Sequence, residues 1–200
     1  MKKSNLSTLK LVLTGILTAV VVVLQFFSGY IRFGPFSITL ALVPIIVGGA
    51  LCGPLSGAFL GFVFSVVVLI NDAAAFFAVD PFGTVLTVIL KGTLAGLASA
   101  LLYKALSGLE ADKPLKKMLR VFLSGIVCPL VNTGIFVAGC FAFFMPKVNE
   151  WAAMLGYESG TNYLFFGMIG INFIVEFATV VILSPIIVRL IDIASNRRHI

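Results

Sequence analysis

A lysine in the middle of an apolar helix constrains this chain more than any other feature. The stretch from Asp80 to Lys104, DPFGTVLTVILKGTLAGLASALLYK, opens with an Asp-Pro-Phe-Gly turn and carries one ammonium, Lys91, among small and apolar residues. From Phe82 to Lys91 a helix rises ~14 Å, which places the charge near the midplane of a ~30 Å hydrocarbon layer. A charge at that depth rarely faces lipid, so neighbouring helices must enclose it. Composition agrees with a membrane setting: of 200 residues, 60% are hydrophobic and 11% charged, too little polar surface for a soluble domain. The net charge of +6 resides in short basic runs between apolar stretches, which fits membrane asymmetry and speaks against nucleic acid.

Six apolar spans are expected, giving an all-α membrane protein with a single domain over 1–200. A basic N-terminus, 1–10, precedes a first span over Leu11–Phe27 that reads as a retained helix rather than a cleaved signal. The second span, Ser37–Leu51, is short and interrupted by Pro44, Gly48 and Gly49, as helices lining a transporter cavity often are. The third is Leu55–Ile70, and Gly49, Gly53, Gly57, Gly61 and Ser65 recur every four residues across the turn before it, a row that permits close packing. The fourth contains Lys91, the fifth covers Val121–Phe144 and the sixth Leu164–Val188. Met145–Tyr163 reads as a loop able to lie at the interface or fold back as a lid, and 190–200 as a basic tail. With alternating direction, eleven Lys and Arg fall on the side of both termini: Lys2, Lys3, Lys10, Lys104, Lys113, Lys116, Lys117, Arg120, Arg189, Arg197 and Arg198. The other side has Arg32 and Lys147, so both termini are expected to be cytoplasmic.

In that topology Lys91, Asn132 and Glu176 share a depth, and Asn172 lies one helical turn outward from Glu176 on the same face. Two readings stand side by side. One is a Lys91–Glu176 ion pair, hydrogen-bonded by the two asparagines, that holds three helices together. The other is a polar pocket open to the outside, with aromatic residues of the outer loops covering a solute. Gly15 and Ala19 form a small-xxx-small face, suited either to contact within the chain or to docking a partner helix. The only histidine, His199, is in the tail, and no GxSxG, HExxH or GxxxxGK[ST] motif occurs, so neither an enzymatic activity nor a self-contained ATPase is indicated. Cys52, Cys128 and Cys140 lie in apolar segments without CxxC spacing and read as packing residues; no cofactor or metal is implied. A small dimeric secondary transporter driven by an ion gradient is the alternative that these features leave open.

Several segments together resemble a known family. These are FGPFSITLALVPIIVGGALCGPLSGAFLGF, the DPFG turn followed by LKGTLAGLASALLYK, PLVNTGIF and NFIVEFATVVILSPII, behind a basic N-terminus and a small-xxx-small first helix. The chain resembles the substrate-binding S components of energy-coupling factor (ECF) transporters over nearly its whole length. The resemblance implies a six-helix subunit in the bacterial plasma membrane that captures a water-soluble vitamin or precursor from outside. It also implies a membrane T subunit and two cytoplasmic ATPases as partners. By position, it places a docking face at Gly15 and Ala19, and substrate contacts at Arg32, Asp80, Lys91, Asn132, Tyr163, Asn172 and Glu176. Among family ligands it points to the pantothenate, hydroxymethylpyrimidine or riboflavin class.

Overall fold

The structure, a computed structural model, describes residues 2–28, 30, 32–33, 36–37, 40–108 and 114–196. The chain starts with α1 (Lys2–Ser28), longer than the apolar run alone because the helix continues outward through its basic N-terminal turns. A two-residue hairpin follows, with β1 (Arg32–Phe33) antiparallel to β2 (Phe36–Ser37) and Arg32 opposite Ser37. Next come α2 (Leu42–Cys52), α3 (Pro54–Asn71), the single turn α4 (Ala74–Phe77) and α5 (Pro81–Ala105). A 3-10 turn at Leu106–Gly108 precedes α6 (Pro114–Gly139), whose first residue is a proline, the position where its missing N–H costs nothing.

The expected loop after the fifth span is largely helix. From α6 the chain widens into a π turn at Cys140–Phe144 and continues directly as α7 (Met145–Met154). Pro146 supplies a reason: its ring cannot donate to the carbonyl four residues back and crowds it, and a wider turn just ahead relieves the conflict. After the short α8 (Gly160–Asn162) a second π stretch, Tyr163–Ile169, leads into α9 (Gly170–Asn196).

Among the described residues five helical stretches are long and apolar enough to cross a membrane, which makes this a multi-pass membrane protein: Thr8–Ser28, Pro54–Asn71, Pro81–Gly108, Leu115–Met154 and Gly160–Ile193. The second expected span is different. Helix α2 has 11 residues, a length of ~16 Å, about half the hydrocarbon layer. It compensates by position, since most of its side chains are buried among the longer helices.

Glycine decides how α2, α3 and α5 meet. A Cβ on Gly57 would come within 2.6 Å of the Gly96 carbonyl oxygen, one on Gly61 would strike the Gly92 carbonyl, and one on Gly49 would lie 2.7 Å from the Ala100 methyl. The every-fourth-residue row of α2–α3 therefore lies against Gly92, Gly96 and Ala100 of α5 with backbones nearly touching, which is the close packing that the sequence row permits. Between α2 and α3 only Gly53 intervenes, at φ +103°, a conformation that side-chain-bearing residues rarely adopt.

Among the described residues three apolar cores result, the smallest formed by Val47, Val121 and Ile187. One contains Ile45, Ile46, Leu60, Phe64, Val88, Ala95, Cys128 and Val180 from α2, α3, α5, α6 and α9. Another gathers Phe76, Phe136, Cys140, Phe144, Val148, Tyr163 and Met168 around α4, the π segments and α7. The three cysteines are buried and unbridged, as packing residues would be.

Gly61→Val should destabilise the protein more than a typical overpacked core substitution, by more than ~3 kcal/mol, because the new side chain meets a backbone carbonyl that cannot rotate away. Thermal unfolding of the purified protein in detergent checks this; an unchanged midpoint would contradict the glycine contact.

Candidate functional site

Helix α5 is fixed at its entrance by Asp80, whose side chain accepts from the Gly83 backbone N–H at 2.9 Å and caps the helix. Down its length two adjacent stripes serve two neighbours. Gly92, Gly96 and Ala100 face α2 and α3. The stripe of Gly83, Thr87 and Ser99 faces the fifth span: Gly83 lies under Phe143, Thr87 against Gly139, and Ser99 Oγ donates to the Ser124 carbonyl at 2.8 Å. Lys91 is one turn beyond Thr87 on this second stripe, so the packing that seats the glycines turns the ammonium toward α6 and α9 rather than toward lipid.

There a small cavity of about 30 Å³ opens, lined by Lys91 from α5, by Asn132, Thr133 and Phe136 from α6, and by Met168, Ile169 and Asn172 from the second π stretch and the start of α9. Lys91 Nζ stands 5.2 Å from the centroid of the Phe136 ring, within reach of a cation–π attraction. Directly behind the lining is Glu176, 2% exposed. Asn172 Nδ2 donates to Glu176 Oε1 at 3.2 Å, one helical turn apart, and the Asn132 amide bears on the same carboxylate.

Among the described residues Lys91 has no carboxylate within 4.0 Å, so the tight Lys91–Glu176 ion pair considered above is not what joins the helices. The charges acting on its ammonium from a distance are those of Glu176 and Asp72. Asp72, at the C-terminal end of α3, is itself held by Gln25 of α1, whose Nε2 donates to Asp72 Oδ2 at 3.0 Å while the glutamine is 1% exposed. Of the five buried side-chain polar atoms without a hydrogen-bond partner among the described residues, three belong here: Asn132 Oδ1, Asn172 Oδ1 and Glu176 Oε2. Such atoms are costly in a water-poor interior, and their concentration at one place marks it out.

The second apolar core forms a roof. Phe76 of α4 meets the edges or faces of Phe136, Phe144 and Trp151 at centroid distances of 5.7, 5.0 and 5.6 Å, so the ring beside Lys91 is continuous with the aromatic cluster that begins at α4. Tyr163 is buried in this cluster with its ring 5.1 Å from that of Tyr157. Both π segments sit in the roof, and π turns inside helices often mark functional sites.

The sequence-derived residues thus separate. Lys91, Asn132 and Asn172 line one cavity with Glu176 against it; Asp80 is a helix cap and Tyr163 a roof residue, and neither borders the cavity. Arg32 belongs to the hairpin, and its side chain lies outside the described residues. Gln25, Asp72 and Phe136 were not singled out by sequence reasoning. A glutamine inside an apolar span was the available signal for the first, because intramembrane polar groups seek protein partners.

Gly15 and Ala19 are exposed on α1, and a Cβ on Gly15 would meet nothing within 4 Å. The side of α1 that packs within the chain is a different one: Thr14 bonds Ser56 at 3.1 Å, and Leu17 approaches Gly48. At the end of the molecule that carries the basic loops, a cavity of about 350 Å³ lies between the α2–α3 turn and Lys10, Tyr103, Lys104 and Arg120. Arg120 is anchored there, its Nε donating to the Tyr103 carbonyl at 2.8 Å and its guanidinium lying over the Tyr103 ring.

Compared with known proteins, the chain matches a family model described as ECF transporter, substrate-specific component, over residues 9–190. No curated protein and no solved structure matches it.

Gln25→Leu removes the donor that holds Asp72 and should cost about 1.5–3 kcal/mol of stability, the range for a hydrogen bond to a charged group. Comparing thermal unfolding of this variant with the parent tests it, and a shift indistinguishable from zero would show the bond to be dispensable.

Proposed function

The chain belongs to the substrate-specific components of ECF transporters, and from that premise we propose that it captures a water-soluble vitamin or vitamin precursor at the Lys91, Asn132 and Asn172 cavity. The pantothenate, hydroxymethylpyrimidine and riboflavin classes are the candidates. The observation that carries this reading is the cluster of three buried acceptors beside an ammonium, none of them with a hydrogen-bond or ion-pair partner among the described residues, deep in a helical membrane protein. A polar solute would complete all of them at once, and an apolar lipid tail would complete none. At about 30 Å³ the cavity holds roughly one water, so capture of a vitamin requires the roof of α4, α7 and the π segments to part from α5. Asp80 and Tyr163 would contribute at the approach to the cavity rather than at its floor, and Arg32 is retained as a proposed contact on the family resemblance alone.

Uptake is assigned to an assembly with a membrane T subunit and two cytoplasmic ATPases, since the chain carries no phosphate-binding loop of its own. The exposed Gly15 and Ala19 face of α1 supports a docking role, because small exposed residues let a second helix approach closely. The basic loops and both termini are placed on the cytoplasmic side of the bacterial plasma membrane.

The isolated subunit should bind its vitamin with high affinity, and reconstituted vesicles should accumulate it only when T subunit, ATPases and ATP are present. Uptake by this chain alone under a proton or sodium gradient would overturn the reading in favour of a secondary transporter. Lys91→Ala should weaken binding at least about tenfold, the loss of ~1.4 kcal/mol or more, while thermal unfolding stays near that of the parent; undiminished affinity would remove Lys91 from the site. Gly15→Leu should leave solute binding intact but abolish co-purification with the T subunit and uptake, and normal assembly would exclude this docking face.

A further inference from the structure

We infer that the cavity between the α2–α3 turn and α1, α5 and α6 binds a phosphate ester, with the headgroup of an anionic phospholipid as its fitting source.

Charge gives the first part of the argument. At about 350 Å³ the cavity is within the ~300–1,000 Å³ range of small-molecule sites. Its charged lining is Lys10, Lys104 and Arg120, with no carboxylate among the lining residues. The Asp192 carboxylate of α9 is engaged elsewhere, by Lys117 at 3.0 Å. One helix, α3, starts at the cavity while α2 and α5 end there. The charges of those helix ends sum to about −0.5 of an elementary charge, which three side-chain cations outweigh several times over.

These cations are also available. Arg120 is held in place by its Nε, which donates to the Tyr103 carbonyl at 2.8 Å, and by the Tyr103 ring, 3.8 Å from its guanidinium carbon. That leaves its terminal nitrogens, the fork that takes two phosphate oxygens at once, without a hydrogen-bond partner among the described residues. Neither the Lys10 nor the Lys104 ammonium has a hydrogen bond or ion pair among the described residues. Three like charges around one hollow repel until an anion enters it.

Depth selects the source of the anion. The lining residues lie near the starts of Thr8–Ser28, Pro54–Asn71 and Leu115–Met154 and near the end of Pro81–Gly108. Where membrane-crossing stretches end, the headgroup region begins, and basic pockets between helices at that level suit anionic headgroups. Leu55, in the cavity lining, is 86% exposed and offers an apolar surface for an acyl chain beside the seated headgroup. An acidic segment of a partner protein would match the cations but not this leucine.

Native mass spectrometry of the delipidated full chain, titrated with phosphatidylglycerol and with phosphatidylcholine of the same acyl chains, tests the inference. Phosphatidylglycerol should bind at least about tenfold more tightly. Lys10→Gln combined with Lys104→Gln should weaken that binding about tenfold or more, since each cation beside an anionic headgroup contributes about fivefold, and should leave phosphatidylcholine unchanged. Arg120→Gln should also weaken it; the two lysines are exposed, so their variant serves as the readout if the arginine variant fails to fold. Glycerol phosphate as a competitor separates the sources. Displacement of the lipid shows the phosphate ester recognised without its chains, no displacement with the charge preference intact assigns the site to lipid, and either supports the inference. Equal binding of the two lipids, or a preference unmoved in the folded lysine variant, overturns it and leaves the basic hollow to an acidic partner segment.

Discussion

The contact between α3 and α5 sets the rest of the structure. Because Gly57 and Gly61 lie against the carbonyls of Gly96 and Gly92, the two backbones come closer than any side chain would allow, and α5 has one permitted rotation about its axis. In lipid no hydrophobic drive sorts helix faces, so a steric fit of this kind carries the orientation. The stripe next to the glycines then points Lys91 at α6 and α9. A helix of equal apolarity without the row could bury or expose the lysine by many rotations; here the glycines leave one.

Dry cores on two sides enclose the polar groups that follow from this. Ile45, Phe64, Val88, Cys128 and Val180 close one side, and the aromatic cluster from Phe76 to Trp151 closes the other. Among the described residues Lys91 and Glu176 are not directly paired. Lys91 rests beside an aromatic ring, Glu176 leans on Asn172, and Asp72 on Gln25. Each negative group thus has an uncharged donor. A direct Lys91–Glu176 pair would have been the more self-sufficient arrangement, since it would leave fewer hydrogen-bonding positions open at the cavity wall. The arrangement found leaves three acceptors and an ammonium available together.

The proposed solute cavity and the proposed docking face occupy different parts of the fold. The cavity lies among α5, α6 and α9, beneath a roof of short or π-distorted elements, α4, α7, α8 and the two π segments, whose geometry is the least regular in the molecule. The exposed small face belongs to α1, which packs against α2 and α3 through Leu17 and Thr14. Between them stands the rigid glycine-joined unit of α2, α3 and α5. A scaffold of this kind can keep one face constant for a partner while the elements over the cavity move.

How much of this was legible in the chain itself follows from which rules are local. Apolar length marks the long helices, the DPFG turn marks the start of α5, and the every-fourth glycines announce a close approach, because span length, capping and residue size act over a few residues. Matching depths along helices of known rise was enough to place Lys91, Asn132, Asn172 and Glu176 in one layer. Depth gives no azimuth, however. Whether Lys91 touches Glu176, whether Asp80 reaches the cavity, and that Gln25 and Asp72 join the same charge system depend on how helices far apart in sequence rotate against one another. The half-length of α2 and the helix that replaces the expected loop after Phe144 are of the same kind. Pro44 and Pro146 signal irregularity, but whether a segment breaks, shortens or widens into a π turn is decided by the neighbours that fill the space around it. The sequence alone determined a membrane-embedded helical protein with a charge that had to be enclosed; only the packed structure decided which groups enclose it and which of their hydrogen bonds stay open, since those are properties of faces meeting and not of residues in order.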